Sequence, residues 1–278
     1  MKKLYIADLD GTLLNNDCCI SKKSAKIIND LTEKGMLFSI ATARSVMTAS
    51  EFLSEIKLSA PVVLMNGVFV YDTVQNKSIK FWEIKSSVLS KLLKIYEKND
   101  KTPLLFLYGD DGLLSIHFTD MKLCVQKDFY NARVDKFDGR FKKVAELTIP
   151  NGQHAVYINL VDTYDELKPI YDEIMMLDGV TASFYHDNYT EYWFLEAYSD
   201  EASKANGARF VKEATCADKI VAFGDNFNDT ILFECADECY AVENAVDELK
   251  NIATCVIGSN QNDGVAEFLK DDFKPFNN

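Results

Sequence analysis

The stretch of sequence that decides the fold is Leu4-Tyr5-Ile6-Ala7-Asp8-Leu9-Asp10-Gly11-Thr12-Leu13-Leu14. Its first four residues are apolar and predict a buried strand that ends at the first aspartate. Open α/β sheets bind ligands at the carboxyl ends of their strands, so both aspartates lie where a ligand site is expected. Gly11 and Thr12 then permit a sharp turn that can direct backbone N–H groups toward an anion.

The pair Asp8 and Asp10 needs a cation or a shared proton, because two carboxylates one residue apart repel each other. A hard divalent ion suits oxygen ligands, and Mg²⁺ typically takes one or two protein carboxylates together with water and substrate phosphate. The alternative is an ordinary strand that runs into an acidic turn. The pair alone does not decide between these interpretations.

The composition is that of a globular protein and excludes several classes of function. The chain has 278 residues, 47% of them hydrophobic, which is ample for one large domain or two smaller ones. Its net charge of −13 repels polyanions, so we expect no nucleic acid partner, whereas a small phosphorylated substrate is compatible with it. No run of about 18–20 apolar residues predicts a membrane span, and we expect neither a signal peptide nor an anchor. The seven cysteines are scattered without a C-x-x-C pair, which favours reduced thiols and a cytoplasmic location.

Apolar runs alternate with amphipathic stretches at both ends of the chain, a pattern that predicts βα units on a parallel sheet. Near the first end, Asn66-Gly67 between two apolar runs predicts a hairpin. The βα pattern resumes after about residue 200 with a helix over Lys204–Ala214 and a strand over Ile220–Gly224. Both ends together are expected to complete one sheet.

The middle of the chain has a different pattern. Leu104–Tyr108 and Leu113–Phe118 flank a Gly-Asp-Asp-Gly turn and predict an antiparallel hairpin rather than a crossover. Thr163 and Glu166 have the spacing of a capping box, and Pro169 should kink the helix that follows or delay its start. We therefore expect an α/β core domain at residues 1–81 and 190–278, with an α+β domain inserted at residues 82–189.

A second acidic cluster follows the strand Ile220–Gly224. Asp225 is a candidate third carboxylate for the metal, although it could equally be a helix N-cap. Asp229 is the better candidate for an N-cap, because it opens the next helix.

Two further segments carry groups suited to an anion. In Ser39-Ile40-Ala41-Thr42-Ala43-Arg44, a hydroxyl at a strand end beside a helix N-terminus can hold a phosphoryl oxygen. Lys204 stands at the start of a helix, and a lone lysine there is usually a solvated charge.

Together these segments resemble the haloacid dehalogenase (HAD) superfamily, and within it the Cof-type phosphatases with a C2B cap. The resemblance covers nearly the whole chain and rests on an ordered set of motifs: D-x-D-G-T-L-L, A-T-x-R, N-G before a strand, Lys204, G-D-N-x-N-D, and Asn262-Asp263-Gly264-Val265-Ala266. It implies a Rossmann-like parallel-sheet core with a mobile α+β cap inserted between the second and third motifs.

The resemblance also implies roles for individual residues. Asp8 looks like the nucleophile that becomes an aspartyl phosphate, and Asp10 looks like the general acid and base. The Asp8 carboxylate, the Asp10 backbone carbonyl and the Asp225 carboxylate resemble the family's Mg²⁺ ligands. Thr42 and Lys204 resemble the groups that hold the phosphate during catalysis.

The substrate-binding set implied in this way also includes Ala43, Arg44, Asn66 and Asn228, besides Thr42 and Lys204. Three positions depart from the family pattern, since Ala43, Ala205 and Glu243 each stand where relatives usually have glycine. None of these changes removes a chemical group. Glu243 adds charge and bulk in the loop after a core strand.

The sequence thus predicts a Mg²⁺-dependent phosphatase that hydrolyses small phosphomonoesters, such as sugar phosphates, through an aspartyl phosphate. The alternatives are a phosphotransferase or phosphomutase that uses the same intermediate, or a binding protein without turnover. We expect cap residues around Tyr108–Leu113 and Tyr185–Tyr189 to select the substrate. The oligomeric state stays open.

Overall fold

The computed structural model describes residues 1–122, 124–131, 134, 139–186 and 190–275. The chain divides into two compact units. The core unit comprises Met1–Lys80 and Ser203–Asn278, and the inserted unit comprises Phe81–Ala202.

The secondary structure follows in chain order. The described strands are β1 (Lys3–Ala7), β2 (Leu37–Ile40), β3 (Val62–Leu64), β4 (Phe69–Asp72), β5 (Lys77–Phe81), β6 (Leu104–Gly109), β7 (Leu114–Phe118), β8 (Phe141–Lys143), β9 (Gln153–Asp162), β10 (Thr181–His186), β11 (Trp193–Tyr198), β12 (Lys219–Gly224), β13 (Glu238–Val242) and β14 (Cys255–Ile257). The described α-helices are α1 (Lys22–Glu33), α2 (Val46–Leu53), α3 (Ser86–Lys98), α4 (Cys124–Asn131), α5 (Tyr164–Ile174), α6 (Lys204–Ala214), α7 (Thr230–Cys235), α8 (Asp247–Ile252) and α9 (Gly264–Asp272). None of these helices combines the length and apolarity that a membrane crossing requires.

A parallel sheet forms the centre of the core unit. Its strand order is β14-β13-β12-β1-β2, and its strands β1 and β12 are direct neighbours although they lie more than 200 residues apart. Ala7 of β1 is in register with Phe223 of β12 and with Ile40 of β2, so these three strands end at the same edge. Both ends of the chain therefore build one sheet, and the predicted α/β class with a parallel-sheet core is confirmed.

A smaller sheet of order β3-β4-β5 also lies in the core unit, and β3 pairs antiparallel with β4. The connection between them is a tight turn over Met65–Gly67 in which all three residues have positive φ. A bridge between Ala41 and Val63 links β3 to the end of β2. The predicted Asn66-Gly67 hairpin is present.

The inserted unit is built on a six-stranded sheet of order β10-β11-β9-β6-β7-β8. The predicted hairpin is present as the antiparallel pair β6 and β7. Helices α3 and α5 contribute Leu92 and Ile170 to an apolar core that also contains Ile158 of β9. Strand β11 lies in this unit because it pairs with β9 and β10, whereas the sequence prediction assigned residues 190–278 to the core.

Helix α5 differs from its prediction in two respects. It begins at Tyr164, so Pro169 does not delay its start and instead lies in the second turn. Thr163 occupies the N-cap position but its side chain makes no capping hydrogen bond. Glu166 instead accepts a hydrogen bond from Lys101 at 2.6 Å, which removes the second half of the expected capping box. The buried face of α5 anchors the helix despite the missing backbone donor of the proline.

Candidate active site

The site begins where β1 and β12 end side by side. The backbone N–H of Asp8 donates to the Phe223 carbonyl at 3.0 Å, which continues the pairing of the two strands by one residue. Asp225 follows β12, and the hydroxyl of Thr12 donates to its Oδ1 at 2.7 Å. The sheet thus brings together two aspartates that are distant in sequence, as the motif spacing predicted.

Gly11 makes the close approach of these two segments possible. Its φ is +80°, and a Cβ at this position would lie only 2.3 Å from Asp225 Oδ2. Both the backbone conformation and the space next to the carboxylate therefore require glycine.

Lys204 lies at the centre of the cluster. Its ammonium donates to Asp8 Oδ1 at 2.6 Å and to Asp229 Oδ1 at 2.7 Å, and its side chain is only 1% exposed. Lys204 is the first residue of α6, whose N-cap Ser203 accepts from the Asn206 N–H at 3.0 Å. The isolated lysine that sequence alone would place in solvent is therefore a buried ion-pair partner of two carboxylates.

Asp229 has a structural role that differs from the predicted one. It occupies the predicted N-cap position of α7, but its side chain makes no capping hydrogen bond to that helix. Its Oδ2 instead accepts the backbone N–H groups of Asp225 and Asn226 at 3.0 and 3.2 Å, because it is the third residue of the short turn Phe227–Asp229 capped by Asn226. Asp229 thereby orders the loop that carries Asp225 while it neutralises Lys204.

The electrostatics of the cluster reflect its burial. Burial raises the pKa of Asp8 well above its usual value, Lys204 opposes this shift, and the charges of Asp229 and Asp225 add to it. Burial also raises the pKa of Asp225 to about 6, with Thr12 opposing and Asp229 reinforcing the shift. Burial alone would lower the pKa of Lys204, but Asp229 and Asp8 raise it above its usual value. The cluster holds more negative charge than one lysine offsets.

The arrangement of oxygens fits a hard divalent cation. Asp8, Asp225 and Asp229 each offer a carboxylate oxygen, and these atoms all lie within 4.8 Å of one another. Oxygen donors of this kind suit Mg²⁺ or Ca²⁺ rather than a soft metal. Both oxygens of Asp229 already accept hydrogen bonds, from Lys204 and from two backbone groups, so Asp8 and Asp225 are the better placed ligands.

Asp10 lies in a different environment from Asp8. Its two carboxylate oxygens accept hydrogen bonds from Arg44 Nη2 at 2.6 Å and Nε at 2.8 Å, a bidentate pair. The Asp10 side chain is half exposed, and the guanidinium also lies 4.7 Å from the Phe52 ring centroid. Of the two carboxylates of the D-x-D motif, Asp8 is therefore buried, whereas Asp10 is half exposed and paired with Arg44.

The remaining predicted residues differ in their burial. Thr42 is buried where β2 has ended, and its Oγ1 accepts from the Arg44 N–H at 3.2 Å. Asn66 is buried with φ +55°, and its N–H donates to the Thr42 carbonyl at 3.1 Å. Its side-chain Oδ1 has no hydrogen-bond partner among the described residues. Ala43 and Asn228 are exposed.

Three structural partners in the site were not assigned by sequence reasoning: Thr12 for Asp225, Asp229 for Lys204, and Asn244 for the Gly11 turn. Asn244 donates from Nδ2 to the Gly11 carbonyl at 2.7 Å. The neighbouring Glu243 is exposed. The spacing of four residues between Asp225 and Asp229 was the one signal that could have indicated their shared loop.

Comparison with known families agrees with this geometry. The family model described as haloacid dehalogenase-like hydrolase matches residues 5–269. The chain belongs to the haloacid dehalogenase-like hydrolases. The Cof-type resemblance drawn from the motifs is thereby confirmed, and so is the prediction of an enzyme, a phosphatase of this family.

Relatives among the haloacid dehalogenase-like hydrolases cover nearly the whole chain. The 5-amino-6-(5-phospho-D-ribitylamino)uracil phosphatase YitU of Bacillus subtilis is 27% identical over 97% of both chains. The pyridoxal phosphate phosphatase YbhA of Escherichia coli is 24% identical over 96% of this chain and 97% of its own length. The crystal structure of TM0651 from Thermotoga maritima has a TM-score of 0.76 at 24% identity and covers 99% of this chain and 98% of its own. That likeness shows that the fold is shared.

Proposed function

We propose that this enzyme is a Mg²⁺-dependent phosphatase of small phosphomonoesters that works through an aspartyl phosphate on Asp8. The observation that carries the proposal is the buried cluster in which Lys204 contacts Asp8 at 2.6 Å and three carboxylate oxygens lie within 4.8 Å. A phosphate dianion needs positive charge in such a site, and a nucleophile needs to be held in one orientation.

Asp8 and Asp225 would hold the cation, together with the Asp10 backbone carbonyl that the family resemblance implies. When bound, a divalent ion offsets the repulsion between an anionic nucleophile and an anionic substrate. The raised pKa values of Asp8 and Asp225 are consistent with this assignment, because both shifts reflect buried carboxylates short of positive charge.

In the first step, an Asp8 carboxylate oxygen attacks phosphorus and the bond between phosphorus and the substrate oxygen breaks. Asp10 gives its proton to the departing oxygen, which would otherwise leave as a poor alkoxide. In the second step, Asp10 accepts a proton from water as the water oxygen attacks phosphorus. Inorganic phosphate leaves and the Asp8 carboxylate is restored.

The other side chains position the reactants. The Lys204 ammonium keeps Asp8 oriented and opposes the rise of its pKa, and it can stabilise charge on the phosphoryl oxygens. Thr42 offers its hydroxyl at the adjacent strand end. The Oδ1 of Asn66 is a buried acceptor without a described partner, so it can receive a hydrogen bond from substrate.

The pair between Asp10 and Arg44 sets a requirement on this mechanism. A bidentate guanidinium stabilises the ionised carboxylate, whereas the first step needs Asp10 to carry a proton. Asp10 therefore acts as an acid after the pair has opened. A substrate anion that binds Arg44 would open it, which couples substrate binding to the release of Asp10.

A phosphate-release screen tests the proposal. Phosphorylated metabolites would be incubated with the enzyme and Mg²⁺, and free phosphate would be measured with and without EDTA. We expect release from sugar phosphates or related small phosphomonoesters, loss with EDTA, and recovery when Mg²⁺ is added back. Full activity after rigorous metal removal would contradict the metal assignment, and isomerised sugar phosphate without free phosphate would indicate a phosphomutase.

Asp8→Asn tests the nucleophile directly. We expect the variant to lose turnover and to form no phosphoenzyme, because the amide is a poor nucleophile. The matched control is Asp247→Asn, which makes the same chemical change at a side chain that is 91% exposed. Asp10→Asn should still form some phosphoenzyme but break it down slowly. Equal turnover in Asp8→Asn and the control would refute the assignment.

We also propose that the substrate carries a heteroaromatic group. The support is that YitU and YbhA are named for phosphates of an aminouracil and of a pyridine derivative.

The predicted cytoplasmic location is compatible with the cysteines, since the six whose side chains are described are all free. The segment Tyr185–Tyr189 that we expected near the substrate lies partly outside the described residues.

A further inference from the structure

The oxygen ligands proposed for the cation come from two separate loops of the core unit. Asp8 and Asp10 follow β1, and Asp225 follows β12. The pairing of these strands fixes where the two loops begin, whereas other contacts must set the distance between the loops beyond the strand ends. Residues 244–246, which follow β13, contact both loops, and we call them the spacer segment.

The spacer segment makes one hydrogen bond to each loop. The side chain of Asn244 donates from Nδ2 to the Gly11 carbonyl at 2.7 Å. The backbone N–H of Val246 donates to the Asp225 carbonyl at 2.9 Å. The two donors belong to residues only two positions apart, so the spacer segment holds both loops at once and sets the distance between them.

Gly11 is the residue of the first loop that most needs such a restraint. It has no Cβ to limit its φ and ψ, and it lies with φ +80° between Asp10 and Thr12. Its carbonyl and the N–H of Thr12 belong to one planar peptide, so a hydrogen bond that fixes the carbonyl also fixes the plane from which Thr12 continues. The Thr12 hydroxyl in turn donates to Asp225 Oδ1 at 2.7 Å. Loosening the Gly11 carbonyl therefore loosens the contact with Asp225.

The Asn244 side chain is itself held in place. Its Oδ1 accepts the backbone N–H of Asn260 at 3.0 Å, so both ends of the amide are used. Asn260 is buried, and its Nδ2 donates to the Leu14 carbonyl at 2.9 Å, at the end of the turn that contains Gly11. The first loop is thus fastened at two of its carbonyls by two asparagines that contact each other.

The exposure of Asn244 argues against a role limited to the stability of the fold. A hydrogen bond at an exposed position contributes little to stability, because water replaces the partner when the bond breaks. Placement matters far more in an active site, where a displacement of about 1 Å can lower a rate about 100-fold. The hydrogen bond from Asn244 to Gly11 therefore has its main effect on the geometry of the site.

We propose that Asn244 is a positioning residue: through the Gly11 carbonyl it holds the Asp10 loop at the distance from Asp225 that one divalent cation requires. This inference rests on the proposed function, because it takes the two loops to share one cation. It assigns Asn244 a role in metal affinity and in the rate of the chemical steps, and none in binding the organic part of the substrate.

The first test replaces Asn244 by leucine, which has a similar volume but forms no side-chain hydrogen bond. Calorimetry should show Mg²⁺ affinity about tenfold lower in Asn244→Leu, because one hydrogen bond is worth about that much. The matched control is Asn251→Leu, since Asn251 is also exposed, lies near the end of α8 and makes no side-chain hydrogen bond among the described residues. Thermal unfolding without Mg²⁺ should differ little between the two variants.

Two results of this comparison would overturn the proposal. One is wild-type Mg²⁺ affinity in Asn244→Leu, with or without a loss of stability, since a lower stability alone indicates a merely structural asparagine. The other is an equal loss of Mg²⁺ affinity in Asn251→Leu, which would show that the effect does not depend on the contact with Gly11.

The second test asks whether Asn244 acts through Thr12. Thr12→Val removes the hydroxyl that contacts Asp225 and keeps the shape of the side chain. Two changes that break one connected set of contacts are not additive, so the double variant should lose clearly less Mg²⁺ affinity than the two single losses combined. Fully additive losses would show two independent effects and would refute the route through the Gly11 peptide.

The third measurement separates this inference from the phosphatase proposal. With an ester found in the phosphate-release screen and saturating Mg²⁺, kcat should be about tenfold lower in Asn244→Leu, while KM stays within about twofold of the wild-type value. A raised KM with unchanged kcat would refute the positioning role. If the wild type binds Mg²⁺ but releases phosphate from no ester, the phosphatase proposal fails, and the calorimetric comparison still decides the role of Asn244. If the wild type hydrolyses esters and Asn244→Leu matches it in kcat, KM and Mg²⁺ affinity, the positioning role alone is refuted.

Discussion

Replacing Gly11 by alanine tests the contact on which the active-site geometry depends. The residue has φ +80°, and a Cβ would lie 2.3 Å from Asp225 Oδ2 and 2.8 Å from its Cγ. Left-handed backbone at a residue with a Cβ destabilises the fold by about 1–2 kcal/mol. Overpacking at a tight contact adds about 1–3 kcal/mol. We therefore expect Gly11→Ala to lower the free energy of unfolding by about 2–5 kcal/mol.

Gly35→Ala is the matched control, because Gly35 has φ +93° but a Cβ added there would meet no atom within 4 Å. It carries the backbone strain without the contact, so we expect it to lower stability by only about 1–2 kcal/mol. Urea unfolding followed by circular dichroism gives both values, provided the two variants have equal m-values. The difference between the variants isolates the contact with Asp225.

The same pair of variants separates stability from the metal site. A Cβ at Gly11 would displace the Asp225 carboxylate from its position, so calorimetric Mg²⁺ affinity should fall in Gly11→Ala and stay at the wild-type value in Gly35→Ala. If Gly11→Ala unfolds at the same urea concentration as Gly35→Ala and binds Mg²⁺ like the wild type, then the Asp225 carboxylate does not lie in contact with Gly11. The proposed metal site would then have lost its main geometric support.

Three further results follow from the structure. Lys204→Met leaves Asp8 and Asp229 buried without a counterion, so urea unfolding at neutral pH should show a loss of about 3–5 kcal/mol; wild-type stability would contradict the buried ion pairs. Burial lowers the pKa of His117, so the folded state binds fewer protons than the unfolded chain, and stability should fall as the pH drops below about 6.5. His117→Gln should abolish this part of the pH dependence. An unchanged pH profile of stability in that variant would contradict the role of His117. Pro169→Ala restores a backbone donor inside α5 and should raise the free energy of unfolding by about 1 kcal/mol or more in the same assay, whereas a decrease would show that the proline suits its position.

The sequence was most informative where strand ends carry polar residues. The apolar run before Asp8 and the one before Asp225 predicted two strands whose carboxyl ends meet, and the parallel pairing of β1 with β12 places them so. Helix α6 has the residues that periodicity assigned to it. In these segments local propensity and burial favour the same structure.

Other elements could not be predicted because tertiary contacts decide them. Strand β5, with the sequence Lys-Ser-Ile-Lys-Phe, lies at the end of a three-stranded sheet, and its charged residues hide the strand pattern. Helix α4 and strand β8 were also missed, since both are short. Pro169 predicted a kink or a delayed start of α5, whereas the helix begins at Tyr164 and buries Leu167, Ile170 and Ile174.

Within the candidate site, sequence identified the chemical groups but not their pairing. The motifs indicated Lys204 and Asp10 as catalytic residues and gave no sign that Lys204 bridges Asp8 and Asp229. They also did not indicate that Arg44 holds both oxygens of Asp10. Side-chain pairs of this kind depend on distances across the sheet edge, which a one-dimensional spacing does not contain.

The buried trio of Lys204, Asp8 and Asp229 has a consequence for how this enzyme can diverge over evolutionary time. Replacing any one member leaves a charged partner unpaired in the interior, so we expect the three positions to change only together. No residue of the inserted unit belongs to this trio, so substitutions there leave its ion pairs in place. The inserted unit can therefore change by stepwise mutation while the buried ion pairs of the core unit are kept.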